Sequence, residues 1–256
     1  MNWRGAVLGL GAGIIGGLFG VGGGVLIVPG LVLWLHLEQR AAGATSLATI
    51  VATAAAGVTR FAIDGSVAFD TAGMLFVGAA MGALGGARVA GRIPNYWLAR
   101  GFVALLTASI LRLTLGGGGG EGTDPLVTGL AEPASLIAVG LLAGLLSATL
   151  GIGGGVIFVP AIVALTGVEQ QVGSGTSLAV ILPTVIIGSS IHARAGRVTW
   201  SIAIPAGLGG IVGGLAGAQV ALGLPEFTLR RMFAAFLVVV AFRMLSRTRA
   251  PSDTAA

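Results

Sequence analysis

The stretch Gly20-Val21-Gly22-Gly23-Gly24-Val25-Leu26-Ile27-Val28-Pro29 returns almost letter for letter as Gly151-Ile152-Gly153-Gly154-Gly155-Val156-Ile157-Phe158-Val159-Pro160. No other feature limits the fold as strongly, because the copies keep one offset, the 131 residues from Pro29 to Pro160, well beyond the motif itself. That offset carries Glu38-Gln39 onto Glu169-Gln170 and Thr45-Ser46-Leu47-Ala48 onto Thr176-Ser177-Leu178-Ala179. It also carries Gly65, Gly78, Gly82, Gly86, Arg100 and Phe102 onto Gly196, Gly209, Gly213, Gly217, Arg231 and Phe233. The chain therefore contains a duplicated unit of about 100 residues, and two such copies suit a transporter repeat better than a many-unit solenoid.

The medium in which this unit folds is set by composition. Of 256 residues, 55% are hydrophobic and only 9% charged, with a mean hydropathy of +1.00, against about 25% charged in soluble domains. This is the composition of a membrane protein, and 46 glycines fit close helix packing in lipid. Cysteine is absent, which excludes disulfides, thiolate metal sites and cysteine nucleophiles, and two histidines speak against a catalytic metal. No cofactor is expected. The net charge of +5 comes from fourteen arginines scattered between apolar runs, which argues against nucleic acid as a partner and for a role in membrane orientation. The N-terminal apolar run is kept as structure rather than a signal peptide, because its pattern recurs internally from Leu136.

Apolar segments fall at 5–35, 41–63, 67–90 and 96–115, then at 134–166, 172–193, 198–221 and 228–246. Three in each half have the ~20 residues of a membrane helix. The first in each half is longer, carries the glycine cluster at its middle and then Pro29 or Pro160. Since Gly costs a helix ~1 kcal/mol and Pro ~3, two shorter legs meeting at the glycines are expected there. If those legs form a re-entrant hairpin, only Arg60, Arg112, Arg230 and Arg231 face one side and the other arginines share the opposite one. Acidic residues other than Glu38 and Asp253 lie with the arginine-poor side. The positive-inside rule then places both termini in the cytoplasm. Three spans plus a hairpin make each half odd in crossings, so the expected fold is all-α: a polytopic membrane protein of two inverted repeats, each with a broken or re-entrant glycine-rich first segment plus three transmembrane helices. Repeat 1 covers 1–115, a glycine-rich and acidic linker 116–133, repeat 2 134–247 and a cytoplasmic tail 248–256.

A hairpin tip at Gly20–Gly24 leaves backbone N–H groups unpaired at the start of the second leg. Such a helix start carries about half a positive charge and free donors, which suits an anion. The duplicate at Gly151–Gly155 supplies a second one, and under inversion the tips approach from opposite faces. Gly22, Gly23 and Gly24 with Gly153, Gly154 and Gly155 are thus the first candidate substrate contacts. Thr45, Ser46, Thr176 and Ser177 are the second, able to donate to an oxyanion or to bond their own helix. Glycines at every fourth position, as at Gly9, Gly13 and Gly17, Gly78, Gly82 and Gly86, and Gly209, Gly213 and Gly217, mark helix packing faces. Glu38-Gln39 and Glu169-Gln170 read as solvated loop residues, and Arg100 and Arg231 as interface anchors. His192, a conceivable proton relay, and Pro183, a kink in its helix, have Phe61 and Ala52 as counterparts and so stand outside the repeated core.

Two glycine motifs with a following proline, then Thr-Ser-Leu-Ala in the next helix, resemble the TauE/SafE family of sulfite and organosulfonate exporters over about residues 5–246. The resemblance implies a secondary transporter of a sulfur-containing anion, sulfite or a sulfonate, in the bacterial inner membrane; spacing and charge by themselves support only a small anion. Export by alternating access, with both tips and the Thr-Ser pairs at one midplane site, is the working expectation. Other classes remain open: an anion channel, or an intramembrane hydrolase using Ser177 or Ser46, which lacks a convincing base because His36 and His192 lie near segment ends. The expected partners are the small anion and the lipid bilayer, with homo-oligomerisation open. No enzymatic activity is expected.

Overall fold

A computed structural model describes residues 3–89, 131–150 and 154–248. The segment 96–115, residues 116–130 of the linker, Gly153 and the tail from 249 lie outside the described residues. Among the described residues the order is α1 (Trp3–Phe19), α2 (Gly24–Leu33), α3 (Gln39–Ile63), α4 (Phe69–Val89), α5 (Ala131–Leu150), α6 (Gly155–Thr166), α7 (Gln170–Arg194), α8 (Trp200–Gly223) and α9 (Glu226–Thr248). The described chain is all-helical, as its composition demands, because in lipid each backbone polar group needs a partner within its own segment.

Helices α3, α7 and α8, at 25, 25 and 24 residues, are long and apolar enough to cross a membrane. A rise of 1.5 Å per residue gives them about 36 Å against a hydrocarbon core of about 30 Å. The glycine motifs behave differently. The first segment stops at Phe19 and restarts at Gly24, so α2 has 10 residues and α6 has 12. At about 15–18 Å neither can span the core.

The first broken segment also folds back on itself. A side chain on Gly23 would meet the Ala12 carbonyl and one on Gly30 the Leu8 side chain, while the Trp3 and Trp34 rings meet edge to face at 6.2 Å. Residues early in α1 thus lie beside residues late in α2.

Close helix pairs are made by the four-residue glycine spacing. Gly5 faces Ile202 and Ala206, Gly13 faces Gly210 and Gly214, and Gly17 faces Gly214 and Ala218, so α1 and α8 run parallel with backbones nearly touching. Gly78 faces Ile137 and Leu141, and Gly82 faces Leu141 and Leu145, which sets α4 parallel to α5 in the same way. The offset of the duplication maps α1 onto α5 and α4 onto α8, so the two pairs are equivalent, and each joins a helix of one half to a helix of the other. Helices α3 and α7, also equivalents, run antiparallel: Gly57 lies against Leu178 and Gly188 against Leu47. Around them the buried core includes Phe61, Phe158, Phe233, Leu75 and Ile162, while Val212, Leu208 and Phe242 present apolar surface outward.

These contacts separate packing glycines from spectators. Gly9→Val, which points a side chain into the Ala206 backbone, is expected to cost at least about 2 kcal/mol through overpacking. Gly11→Ala, two residues away and facing open space, is expected to change stability by no more than about 1 kcal/mol. Thermal unfolding of the two variants in detergent checks the contrast; equal melting points would mean that the α1–α8 contact is not tight.

Candidate functional site

The break between α1 and α2 is built from positive-φ glycines. Gly20 and Gly22 stand at φ 71° and Gly23 at 84°, a left-handed conformation that costs an L side chain about 1–2 kcal/mol. The turn closes when Val21 and Gly22 donate their N–H groups to the Gly16 carbonyl at 3.0 and 3.3 Å. Helix α2 then starts from Gly23, whose carbonyl accepts from Leu26 and Ile27. Gly154, at φ 75°, does the same for α6, its carbonyl accepting from Ile157 and Phe158. No side chain caps either start. The N–H groups of Gly23, Gly24 and Val25, and of Gly155 and Val156, have no acceptor among the described residues.

The two helix starts meet. A side chain on Gly155 would lie 2.5 Å from the Val21 Cα and 2.7 Å from Ile181 Cδ1, while one on Gly22 would touch Ile50 Cγ2 at 3.0 Å and Ile181 Cγ2 at 3.4 Å. Ile50 and Ile181 are equivalents under the duplication, both fully buried and each near the middle of its helix. Val21, Ile50 and Ile181 therefore pack against Gly22 and Gly155 where the two helix starts approach. Sequence reasoning missed these three. The signal was present, since Ile50 and Ile181 follow the repeated Ser-Leu-Ala at the same spacing, but apolar residues in an apolar chain do not stand out.

All four candidate hydroxyls are fully buried, and three of them are engaged between the halves rather than within their own helices. Thr176 Oγ1 accepts from the Ala68 N–H at 2.9 Å, and Thr45 Oγ1 accepts from the Thr199 N–H at 3.1 Å. These two bonds are mates under the duplication, each tying the loop before α4 or α8 to the long helix of the other half. Ser177 donates to the Gly20 carbonyl at 2.8 Å, anchoring the first tip from α7. Ser46, its equivalent, has a buried Oγ with no partner. Ser174 joins them: its Oγ is buried and unpartnered, and its Cα and Cβ lie against Gly20. It escaped notice because its counterpart is Gly43. Neither Ser177 nor Ser46 has an imidazole partner, as a serine nucleophile would require.

Among the described residues, charge lies toward helix ends. Among the described residues the buried polar side chains are eight hydroxyls, Thr45, Ser46, Thr49, Thr53, Ser174, Thr176, Ser177 and Thr184, and the Gln170 amide. Arg60 sits in the last turn of α3, bonded to Gln219 and 3.7 Å from Asp64, and the Arg231 guanidinium lies 3.8 Å from the Phe227 ring centre, as an interface anchor would. Arg100 lies outside the described residues. His192 occupies the last turn of α7, away from the tips.

One expectation needs correcting. Glu38, Gln39 and Glu169 are exposed, but Gln170 is fully buried and neither atom of its amide has a partner. The turn between α8 and α9 covers it: Gln171 Nε2 donates to the Leu224 carbonyl at 3.1 Å, and the Glu226 carboxylate accepts from the Gln170 backbone. Burial, then the neighbouring Glu169 charge, pushes the Glu226 carboxyl above the usual carboxylate range, against the pull of Arg230 and the Gln170 N–H.

An apolar helical bundle, duplicated and broken at two glycine tips in its interior, defines a membrane protein. A family model described as sulfite exporter TauE/SafE matches residues 1–113 and 136–255. The chain belongs to this family, a family of transporters. No curated protein matches the sequence.

Two outcomes follow from the polar contacts. Thr45→Val and Thr176→Val each leave a backbone N–H without its acceptor, and each is expected to cost about 1–3 kcal/mol. Thr→Ser at either position restores most of that, and melting temperatures of the four variants provide the check. For Glu226 the folded pKa lies above the unfolded one, so its contribution favours the fold at low pH and is lost as pH rises through the folded pKa. Glu226→Gln, which keeps an acceptor for the Gln170 N–H, is expected to raise the melting point at pH 7 and to flatten its rise on acidification. An unchanged pH profile would remove Glu226 as the source.

Proposed function

We propose that the protein is a secondary transporter that exports a small sulfur-containing anion, sulfite or an organosulfonate, by alternating access across the bacterial inner membrane, with both termini in the cytoplasm. The family supplies the transporter class. The observation that carries the site is the meeting of two uncapped helix starts, at Gly23 and Gly154, across Val21 and Gly155. Each start carries about half a positive charge and unpaired donors, a combination that binds oxyanions without a lysine or arginine. Substrate contacts fall to Gly22, Gly23 and Gly24, to Gly154 and Gly155, and to the hydroxyls of Thr45, Ser46, Thr176 and Ser177.

Inverted repeats are supported by the antiparallel course of the equivalent helices α3 and α7 and by the mated bonds of Thr45 and Thr176. Two halves of opposite sense around a central site permit an inward-open and an outward-open form related by exchange of roles. The packing of Val21, Ile50 and Ile181 against the helix starts favours a transporter over an open channel, because an anion passes only if the tips separate.

Gly23→Ala tests the site. Its φ of 84° strains any side chain, and the added methyl would sit 2.6 Å from the Ala12 carbonyl, so the first helix start must shift. Sulfite or methanesulfonate flux in proteoliposomes is expected to fall at least about tenfold while the variant still folds at a cost of about 1–3 kcal/mol. Full flux from the variant, and from Gly154→Ala, would mean that the motif only shapes the fold.

A further inference from the structure

Between the two legs of the first broken segment lies an apolar groove of about 480 Å³, lined among others by Val7, Leu8 and Gly11 of α1 and by Leu26, Gly30 and Trp34 of α2. Gly11 is exposed, and a side chain added there would meet nothing. In a bilayer such a concave surface is filled by hydrocarbon, because an empty space forfeits contacts and water finds no polar partners in it.

One end of the groove lies at a membrane interface. A side chain on Gly5 would sit 3.3 Å from the Ile202 carbonyl, so α1 and α8 start level, with Trp3 and Trp200 at their heads. Trp34 meets Trp3 edge to face. Three of the four tryptophans of the sequence thus share one level, all exposed, as at a headgroup boundary. From Trp3 to Ile15, the last residue of α1 to line the groove, twelve residues rise about 18 Å. One leaflet of hydrocarbon is about 15 Å deep, so the groove follows a single leaflet.

Charge is biased toward the same end. α2 returns beside the head of α1, α3 starts there, and α7, antiparallel to α3, ends there. Among the described residues this side carries Arg4, Arg40, Arg194 and Arg197, all exposed, against Glu38. The opposite side carries Arg60, Arg230 and Arg231 against Asp64, Asp70, Glu169 and Glu226. Arg4 stands at the mouth of the groove, its guanidinium 5.9 Å from the Trp3 ring centre, and no ion pair engages it among the described residues. The duplication puts Ala134, Ser135, Leu142, Ala161 and Leu165 where Trp3, Arg4, Gly11, Gly30 and Trp34 stand. The aromatic pair, the cation and the open glycine are therefore particular to the first half.

We propose that this groove binds one anionic glycerophospholipid, with an acyl chain along Gly11 between α1 and α2 and the headgroup phosphate on Arg4. Basic residues beside an apolar slot at the interface suit that chemistry, since anionic headgroups gather at arginines there. A helix about 10 Å across and as long as the Val7–Ile15 stretch fills about 900 Å³, roughly twice the space available. The lipid site is independent of the anion site at the glycine tips.

Melting of the full-length protein in detergent, titrated with phosphatidylglycerol or with phosphatidylcholine of the same acyl chains, reads both affinities, because a ligand of the folded state raises the melting point with its concentration. Phosphatidylglycerol is expected to bind about fivefold more tightly, the increment for one arginine near an anionic headgroup. Arg4→Gln should erase that preference and leave phosphatidylcholine binding unchanged. Gly11→Leu, which installs the residue of the second half, should weaken both lipids at least about tenfold by displacing several methylenes. Gly73→Leu, the same change at another exposed glycine that touches nothing, should weaken neither. Equal affinities for the two lipids in the native protein, or native affinities in Gly11→Leu, would overturn the site. Protection by inorganic phosphate alone would overturn it too, by leaving Arg4 a ligand without the groove. A shift of Gly11→Leu from dimer to monomer with lipid affinity intact would give the groove to a second copy of the chain instead.

Discussion

A peptide group stripped of its hydrogen bond in hydrocarbon costs several kcal/mol, so a break in a membrane-embedded helix survives only where protein surrounds it. The chain makes such a break between Phe19 and Gly24, and much of the bundle serves to shelter it. The freed Val21 and Gly22 N–H groups turn back to the Gly16 carbonyl, and the Gly20 carbonyl accepts from Ser177. Glycine is required at these points for a steric reason as well. A side chain at Gly20 would occupy the Ser174 backbone, and one at Gly16 would meet the Gly22–Gly23 peptide.

That shelter is assembled across the halves. α1 packs on α8, α4 on α5, and the first tip rests on α7. The first break leans on both halves: Gly22 meets Ile50 of its own half, while Gly20 meets Ser174 of the other. Glycine spacing makes the exchange tight enough, with the backbones of α1 and α8 in contact over about three helical turns from Gly5 to Gly17. The first tip is therefore completed by residues of the second half, Ser174 and Ser177.

Much of this was legible in the letters. The offset between Pro29 and Pro160 gave the repeat, the glycine clusters located the breaks, and the four-residue spacing of Gly78, Gly82 and Gly209, Gly213 marked surfaces that do pack on neighbouring backbones. What stayed hidden was pairing at a distance. No local pattern reveals that Thr45 serves the Thr199 N–H or that Thr176 serves Ala68, because both partners are ordinary loop residues. Gln170 looked like a solvated residue because it follows a charged one, but it is fully buried, its backbone bonded to Glu226 in the turn after α8. Ile50 and Ile181 were invisible for the opposite reason: an apolar residue at the centre of an apolar helix carries no contrast.

Departures from the repeat carry separate information. Under an alternating mechanism whose two conformations exchange the roles of the halves, identical halves would populate both forms equally, and only a difference between them can favour one. Several of these differences fall on α7: Ser174 stands where α3 has Gly43, Pro183 where it has Ala52, and His192 where it has Phe61; another falls on α8, where Pro205 stands for Met74. α7 is also the helix that holds the first tip, through Ser177. Proline removes a backbone donor at the middle of this helix and weakens its stiffness there, while α3 keeps an unbroken ladder at the same level. The first tip is thus held by the less regular of the two long helices. Under such a mechanism that asymmetry would bias the two access states by the protein itself, before any anion or ion gradient acts on them.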